Sequence, residues 1–372
     1  MINIGIIGVG LVGSELFSQI LKSSYKNILR VVALSSSEKM LLSDSEYKPL
    51  VVDLSKDIRS YVIQQGVPVN IDEFENYLVN SKQHSVIIDC TASENIAQLY
   101  PSWLRSGLSV VTPNKKGFAG SIDLFKEIRE LAVNTNKEIN NTNVPLVYHE
   151  TTVGAGLPIL STLADLIQTG DDIIRIEGIF SGCLSYVFNT FCSLTNNTTQ
   201  TFSEVVYCAK KLGYTEPDPR DDLNGMDAAR KASFVIICGR LANVDLELST
   251  LSIDNIMPQG LQSLPTSEEF MRKLPEYDDY FSKLRQEVLD NNQVLRYIGI
   301  VDFKGGESGV QLIKCPASHP FASLKGGDNI IRFTTKRFPN GFTIQGDGGG
   351  AAVTAYGIFT DLIKIQERVN KF

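Results

Sequence analysis

The residues best equipped for chemistry lie between Gly213 and Lys231, in the stretch GYTEPDPRDDLNGMDAARK. Glu216, Asp218, Asp221 and Asp222 place four carboxylates within seven positions, with Arg220 the one cation among them. Like charges this close raise one another's pKa, so the cluster calls for a cation. Pro217 and Pro219 fix φ and keep the residue before each out of the helical region, which predicts a stiff loop with its side chains held out. Asn224-Gly225 reads as a helix start and Met226 to Leu241 as the helix. Asp227 and Lys231, four apart, share one face of it. The rest of that helix is apolar nearly all round, the pattern of a buried element. A solvated acidic loop beside a structural ion pair is the plain reading. Against it, a lysine and an aspartate carried into an interior need a partner or a task. The stretch therefore reads as a site for a small substrate bearing a positive charge, with a lysine able to move a proton.

Such a site needs a scaffold, and the first 150 residues supply the pattern of one. Ile2–Ile7 is a short apolar run ending in Gly8-Val9-Gly10-Leu11-Val12-Gly13, followed by an amphipathic helix to about Leu21. In this fingerprint the first glycine makes a tight turn, the second lets backbone approach a pyrophosphate, and the third lets helix pack on strand. The helix N-terminus presents free N–H groups to the anion. A second strand, Arg30–Leu34, ends in Ser35-Ser36-Ser37 with Lys39 nearby, where an acidic residue would favour NAD. Serines can hydrogen-bond a 2′-phosphate, so the turn points to acceptance of NADP. An irregular stretch and a helix over Asp72–Val79 follow. Strands at Ser85–Cys90 and Ser109–Thr112 end in Thr91-Ala92-Ser93 and Pro113-Asn114-Lys115-Lys116, beyond the carboxyl edge where open parallel sheets bind ligands. Helices at 95–106 and 121–134 alternate with them as in right-handed βαβ crossovers.

Beyond this half, Tyr148-His149-Glu150-Thr151-Thr152-Val153-Gly154-Ala155-Gly156-Leu157-Pro158 leads into a new helix. Gly154 and Gly156 permit a winding backbone whose carbonyls can converge, the way hard cations are held. No second His or Cys stands at ligand spacing from His149, which reads as structural. Asp172–Ser181 is a long strand ending in Gly182-Cys183 before the helix Leu184–Leu194, and Gly182 lets a ligand approach the backbone. A helical stretch at Glu268–Asp290 and strands near 295–302, 309–314, 330–335 and 341–345 predict a mixed sheet. Gly346-Asp347-Gly348-Gly349-Gly350 opens a final helix, Ala351–Val369, which packs back on the first domain.

With 372 residues the chain is long enough for two domains, and its net charge of −7 argues against nucleic acid or an acidic membrane as partner. Its six cysteines form no CxxC, which speaks against a disulfide framework or a zinc site. The first strand begins at residue 2, and no apolar run reaches membrane-spanning length. A reduced, cytoplasmic enzyme fits these bounds.

The central stretch, with TPNKK (112–116), YHETTVGAGLP (148–158), IEGIFSGCLSY (176–186), SHPFASLKG (318–326) and the glycine-rich close (346–350), resembles the homoserine dehydrogenases, in particular the monofunctional fungal type, essentially end to end. The resemblance implies an α/β chain. A Rossmann-type NAD(P)-binding domain spans 1–150 and is completed by 346–372. An α+β domain for substrate binding, catalysis and dimerisation spans 151–345. It implies reversible NAD(P)H-dependent reduction of L-aspartate 4-semialdehyde to L-homoserine, in the aspartate pathway to threonine, methionine and isoleucine, by a homodimer. By the same resemblance Lys231, Asp227 and Lys115 are catalytic, and Gly182, Tyr214, Glu216 and Asp222 bind substrate. Gly8, Gly10, Leu11, Val12, Gly13, Thr91, Lys115 and Gly350 meet the cofactor, NADP or NAD. A sodium ion is held by main-chain oxygens of Glu150, Val153, Ala155 and Leu157, which truncating the Glu150 side chain leaves in place. His319 is structural. The family commonly has threonine where this chain has Cys183. Nothing remains at either end for a regulatory ACT domain or a fused aspartate kinase domain.

Two other readings stand beside this one. An acylating aldehyde dehydrogenase of similar architecture would use Cys183 as nucleophile, and that chemistry needs a histidine base near the thiol. A regulator that binds NAD(P)H without turning it over would carry a DNA-binding module, and the sequence has no basic helix-turn-helix.

Overall fold

The computed structural model describes residues 1–52, 57–135, 144–194, 199–223, 232–325 and 328–369. They form two compact units, Met1–Leu160 with Gly349–Phe372, and Ser161–Gly348.

The first unit is built on strands β1 (Ile2–Ile7), β2 (Leu29–Ser35), β3 (Lys39–Leu42), β4 (Val67–Pro68), β5 (His84–Asp89), β6 (Ser109–Val111) and β7 (Val147–Tyr148), in the order β4-β3-β2-β1-β5-β6-β7. β1 pairs in parallel with β2 on one side and β5 on the other, and β6 and β7 continue in parallel. All of β1 and β5 is buried, as strands covered on both faces must be, and this is why each reads as a largely apolar run rather than an alternating one. β3 and β4 extend the sheet antiparallel through the stretch that reads as irregular. They are too short to show an alternating pattern, and a helix, Ile58–Gln65, lies between them.

The helix Leu11–Lys22 and the final helix Ala351–Val369 share one apolar cluster with β1. Leu16, Phe17 and Ile20 pack in it with Ile358, Leu362 and Ile365. The final helix has the bounds its sequence predicts. Two other helices are shorter than their periodicity suggests. The run expected over 95–106 is two helices, Glu94–Ala97 and Tyr100–Arg105. The run over 268–290 divides into Ser267–Lys273 and Asp278–Asp290 around a 3-10 turn, Leu274–Tyr277. Pro101 and Pro275 explain both breaks, since a proline gives no N–H to the preceding turn and its ring clashes there.

In the second unit β8 (Ile173–Ile179), β9 (Ser252–Ile253), β10 (Gln293–Asp302), β11 (Gly309–Pro316), β12 (Asn329–Thr335) and β13 (Phe342–Gly346) form a sheet in the order β13-β12-β8-β10-β11-β9. Its pairs are antiparallel except β9 with β11, so the expected mixed sheet is observed. Phe188 and Phe191 of helix Gly182–Phe191 share its apolar cluster with Phe202, Phe281 and Ile298. Arg296 on β10 is fully buried, and its guanidinium donates to the carbonyls of Phe188, Cys192, Phe321 and Ala322. A buried cation satisfied this way fastens the C-terminal end of helix Gly182–Phe191 to the sheet. Among the described residues no helix is long and apolar enough to cross a membrane, and none of the six cysteines is in a disulfide.

Candidate active site

At the carboxyl ends of β1, β2 and β5 the first unit opens into a cleft of about 560 Å³, bordered by Gly8, Gly10, Ser37, Arg59, Thr91 and Ser93 among others. The sheet order reverses across β1, and open α/β sheets bind ligands at such a switch point. The three motif glycines have separate reasons. Gly8 takes φ +94°, a conformation that side chains rarely adopt, and a Cβ on Gly13 would stand 2.2 Å from the Gly8 carbonyl oxygen. A Cβ on Gly10 would meet nothing within 4 Å. Protein packing therefore accounts for two glycines, and the third faces open cleft where a dinucleotide's pyrophosphate fits. Leu11 and Val12 begin the helix, Leu11 largely exposed at its first turn.

The serine turn differs from its reading. Ser35 Oγ donates to the Ser36 carbonyl at 2.8 Å, and Ser36 Oγ donates to the Lys39 carbonyl at 3.0 Å. Both hydroxyl protons are thus spent on the turn, leaving Ser37, which is exposed in the cleft wall. Arg59, from helix Ile58–Gln65, stands in the same wall. Sequence reasoning missed it, because a single arginine in a weakly patterned helix carries no local signal.

Thr91 and Ser93 form the lip after β5, and Lys115 lies exposed on the turn after β6. Between these loops sits Asp89, 0% exposed. Its Oδ1 accepts the Thr91 N–H at 2.8 Å, and its Oδ2 accepts Tyr100 Oη–H at 2.5 Å and Asn114 Nδ2–H at 2.8 Å.

In the turn from Glu150 to Leu157 the backbone winds as expected, with one change of residue. Gly154 and Ala155 take φ +70° and +52°. Gly156 serves another purpose, since a Cβ there would stand 2.6 Å from the Val353 carbonyl oxygen of the final helix. The Glu150 and Leu157 carbonyls accept the N–H groups of Val153 (3.2 Å) and Ile159 (2.9 Å), and each keeps a second lone pair. His149 is structural in its contacts. Its ring stacks on Phe118 with centroids 3.8 Å apart, and burial pushes its pKa down to about 4. Gly350, φ +85°, leads into the final helix.

In the second unit the acidic stretch is ordered otherwise than as an open loop. Pro219–Leu223 is a short helix, with proline at the first position, where the missing N–H costs nothing. Asp218 accepts the Arg220 N–H at 3.0 Å and the Arg220 Nε–H at 3.0 Å, and Arg220 holds its carboxyl below the usual range. Asp222 is 1% exposed, and its Oδ2 accepts the Glu216 N–H at 2.8 Å. Glu216 and Asp221 extend into solvent. Tyr214 stacks on Tyr186 of helix Gly182–Phe191, centroids 4.7 Å apart, which sets the start of the acidic stretch against that helix. A Cβ at Gly182 would meet nothing within 4 Å. Asp227, Lys231 and the helix start at Asn224-Gly225 lie outside the described residues; the helix is seen from Ser233 to Leu241, buried as its composition predicts.

Comparison with known proteins extends this picture over the whole chain. Residues 8–140 match the family model "Homoserine dehydrogenase, NAD binding domain", and residues 158–363 match the model "Homoserine dehydrogenase". The homoserine dehydrogenase of Saccharomyces cerevisiae is 42% identical over 371 residues, covering 99% of both chains. The chain belongs to the homoserine dehydrogenase family.

Homoserine dehydrogenases are NAD(P)-dependent oxidoreductases acting on a CH–OH group, and the cleft at Gly8–Gly13 lies within the part matched to their NAD-binding domain. A plant relative, the chloroplastic bifunctional aspartokinase/homoserine dehydrogenase 1 of Arabidopsis thaliana, is 44% identical over 97% of this chain, which spans 38% of that protein. A crystal structure of a Candida auris protein of unknown function superposes with a TM-score of 0.86 at 42% identity, covering 99% of this chain and 98% of that one. The aldehyde-acylating alternative is disfavoured by the environment of Cys183, 4% exposed within the apolar cluster of the second unit, where a thiol is inert rather than nucleophilic. His319 in that unit caps a 3-10 turn, its Nδ1 accepting the Phe321 N–H at 3.3 Å.

Proposed function

We propose that this homoserine dehydrogenase interconverts L-aspartate 4-semialdehyde and L-homoserine with NADP or NAD, as a cytoplasmic homodimer paired through the six-stranded sheet. The observation that carries the reading is Gly10, which faces open cleft in a chain whose two halves both match this family. A bound nicotinamide cofactor supplies the hydride. The glycine turn and the free N–H groups of helix Leu11–Lys22 would hold its pyrophosphate, and Thr91, Lys115 and Gly350 its nicotinamide end. Arg59 and Ser37 offer donors to a 2′-phosphate, which supports use of NADP.

Lys231 holds the proton that passes to or from the substrate oxygen, and Asp227, one helical turn earlier, orients it. Lys115 helps to polarise the carbonyl. Glu216, whose carboxylate is exposed, and Asp222 supply the counter-charge for the substrate's ammonium, beside Gly182 and Tyr214. The wound backbone at Gly154 and Ala155 supports a sodium site built from the carbonyls of Glu150, Val153, Ala155 and Leu157. Homoserine-dependent reduction of NADP and of NAD, followed by absorbance, tests the reading. A folded protein that reduces neither cofactor with homoserine overturns it.

A further inference from the structure

We propose that Asp89 is a positioning residue whose buried carboxylate sets the two loops at the reacting end of the cofactor cleft relative to each other. The inference rests on the reading that Thr91 and Lys115 serve the nicotinamide end. Asp89 cannot touch ligand there, being 0% exposed at the last position of β5.

Its two oxygens serve different loops. Oδ1 takes the Thr91 N–H at 2.8 Å, on the loop after β5, and Oδ2 takes Asn114 Nδ2–H at 2.8 Å, on the loop after β6. Asn114 doubles the tie, since the same Nδ2 donates to the Ser93 carbonyl at 2.9 Å while its Oδ1 accepts the Lys116 N–H at 3.1 Å. Lys115 is thereby bracketed by two residues held to the β5 side. Tyr100, itself 0% exposed, donates its hydroxyl to Oδ2 at 2.5 Å. Its oxygen lies 3.1 Å from Thr112 Oγ1, which in turn donates to the Asp89 carbonyl at 2.8 Å.

Three donors converge on two oxygens, an arrangement that a carboxylate satisfies in full, while burial raises its pKa. An asparagine at position 89 would turn an amide N–H towards one of those donors and leave a buried group unpaired. A charge buried without a cation among these contacts is costly to keep. Hydrophobic packing between β5 and β6 would hold the strands without it, whereas the distance between two loop lips is something packing alone leaves loose. Reacting groups displaced by about 1 Å can lose 10²-fold in rate. The adenine and pyrophosphate end has its own supports, the Ser35–Ser37 turn and Gly8–Gly13, and shares none of these bonds.

Asp89→Asn is therefore expected to lower kcat by about 10²-fold while leaving unchanged the inhibition constant of 2′,5′-ADP, a fragment that carries the adenine end alone. Asn114→Ala should show the same split, and the double variant should lose no more than the worse single one, because both act through one bond. Unchanged kcat in folded Asp89→Asn overturns the proposal, as does parallel weakening of 2′,5′-ADP binding, which would mark a merely structural role. If Asp89→Asn does not fold, Tyr100→Phe and Asn114→Ala carry the test, and wild-type kcat in both overturns it. Lys115→Ala separates the two levels. A loss there with none at Asp89 sinks the anchor alone, and wild-type turnover in Lys115→Ala removes the underlying reading and the anchor with it.

Discussion

Asp361 on the final helix accepts the backbone N–H of Glu150 at 3.2 Å, joining residues 211 positions apart. Lys364 completes the cluster, its Nζ 2.9 Å from Asp361 Oδ1 and 3.7 Å from Glu150 Oε2. Glu150 Oε1 accepts the Leu160 N–H at 2.6 Å. One buried side chain thus closes the turn from its first residue to the start of the next helix.

This changes what truncation at Glu150 should do. Main-chain sodium ligands cannot be deleted with a side chain, yet Glu150→Ala leaves the Leu160 N–H without its acceptor. A loss of about 1–3 kcal/mol in stability is expected for an orphaned buried donor. Glu150→Gln keeps an acceptor and should lose less. Urea denaturation of both variants, with sodium or potassium chloride, measures the two effects together. Equal stability of wild type and Glu150→Ala would show that the turn closes itself.

Two sets of buried groups give stability opposite dependences on pH. Burial outweighs Lys364 and lifts the Asp361 carboxyl from 3.8 to about 6. Its contribution is present below pH 3.8 and is lost as pH rises through about 6, a span worth about 3 kcal/mol. Burial depresses His149 and His84 from 6.5 to about 4, so their contribution is present above pH 6.5 and is lost as pH falls through about 4. Asp361→Asn should therefore be least harmful, relative to wild type, above pH 6. Thermal melts from pH 4 to 8 check this, and a deficit that grows with pH would contradict it.

On the reading given to Lys231, Lys231→Ala should reduce kcat by about 10²–10⁴-fold, and Glu216→Ala should chiefly raise the KM for homoserine. A lysine near its ordinary pKa of about 10.4 is mostly charged at neutral pH. Homoserine oxidation should accelerate towards alkaline pH, and the reverse reduction should tolerate lower pH. Near-normal turnover in folded Lys231→Ala would move the proton transfer to Lys115.

Arg59→Ala should raise the KM for NADP by about 10–100-fold, the worth of one charge-assisted hydrogen bond of roughly 1.5–3 kcal/mol, and leave that for NAD unchanged. Steady-state kinetics with both cofactors reads the ratio directly. Equal losses for NADP and NAD would place Arg59 away from the 2′-phosphate. An enzyme that uses NAD at least a hundredfold better than NADP would sink the preference itself.

The sequence by itself determined what depends on near neighbours. Buried parallel strands are largely apolar, so β1 and β5 are legible as runs despite the polar residues Asn3, His84, Ser85 and Asp89 within them, and the glycine turn between β1 and its helix follows from backbone sterics. The final helix shows its apolar period over Ala351–Val369 and is found to the residue. The runs over 95–106 and 268–290 read as single helices, and the structure divides both, at Pro101 and Pro275; apolar periodicity continues across a proline that interrupts the backbone bonding. Tertiary structure decided whatever needs partners distant in the chain. Asp89 meets Asn114 25 positions on, Asp361 meets Glu150 211 positions away, and Arg59 reaches the cofactor cleft from a helix with no pattern of its own. The same holds within the acidic stretch, where four carboxylates of one type separate into a cap paired with Arg220, a buried acceptor and two exposed charges. Composition brings such groups together, but hydrogen-bond geometry assigns each oxygen its donor, and that geometry exists only once the chain has closed on itself.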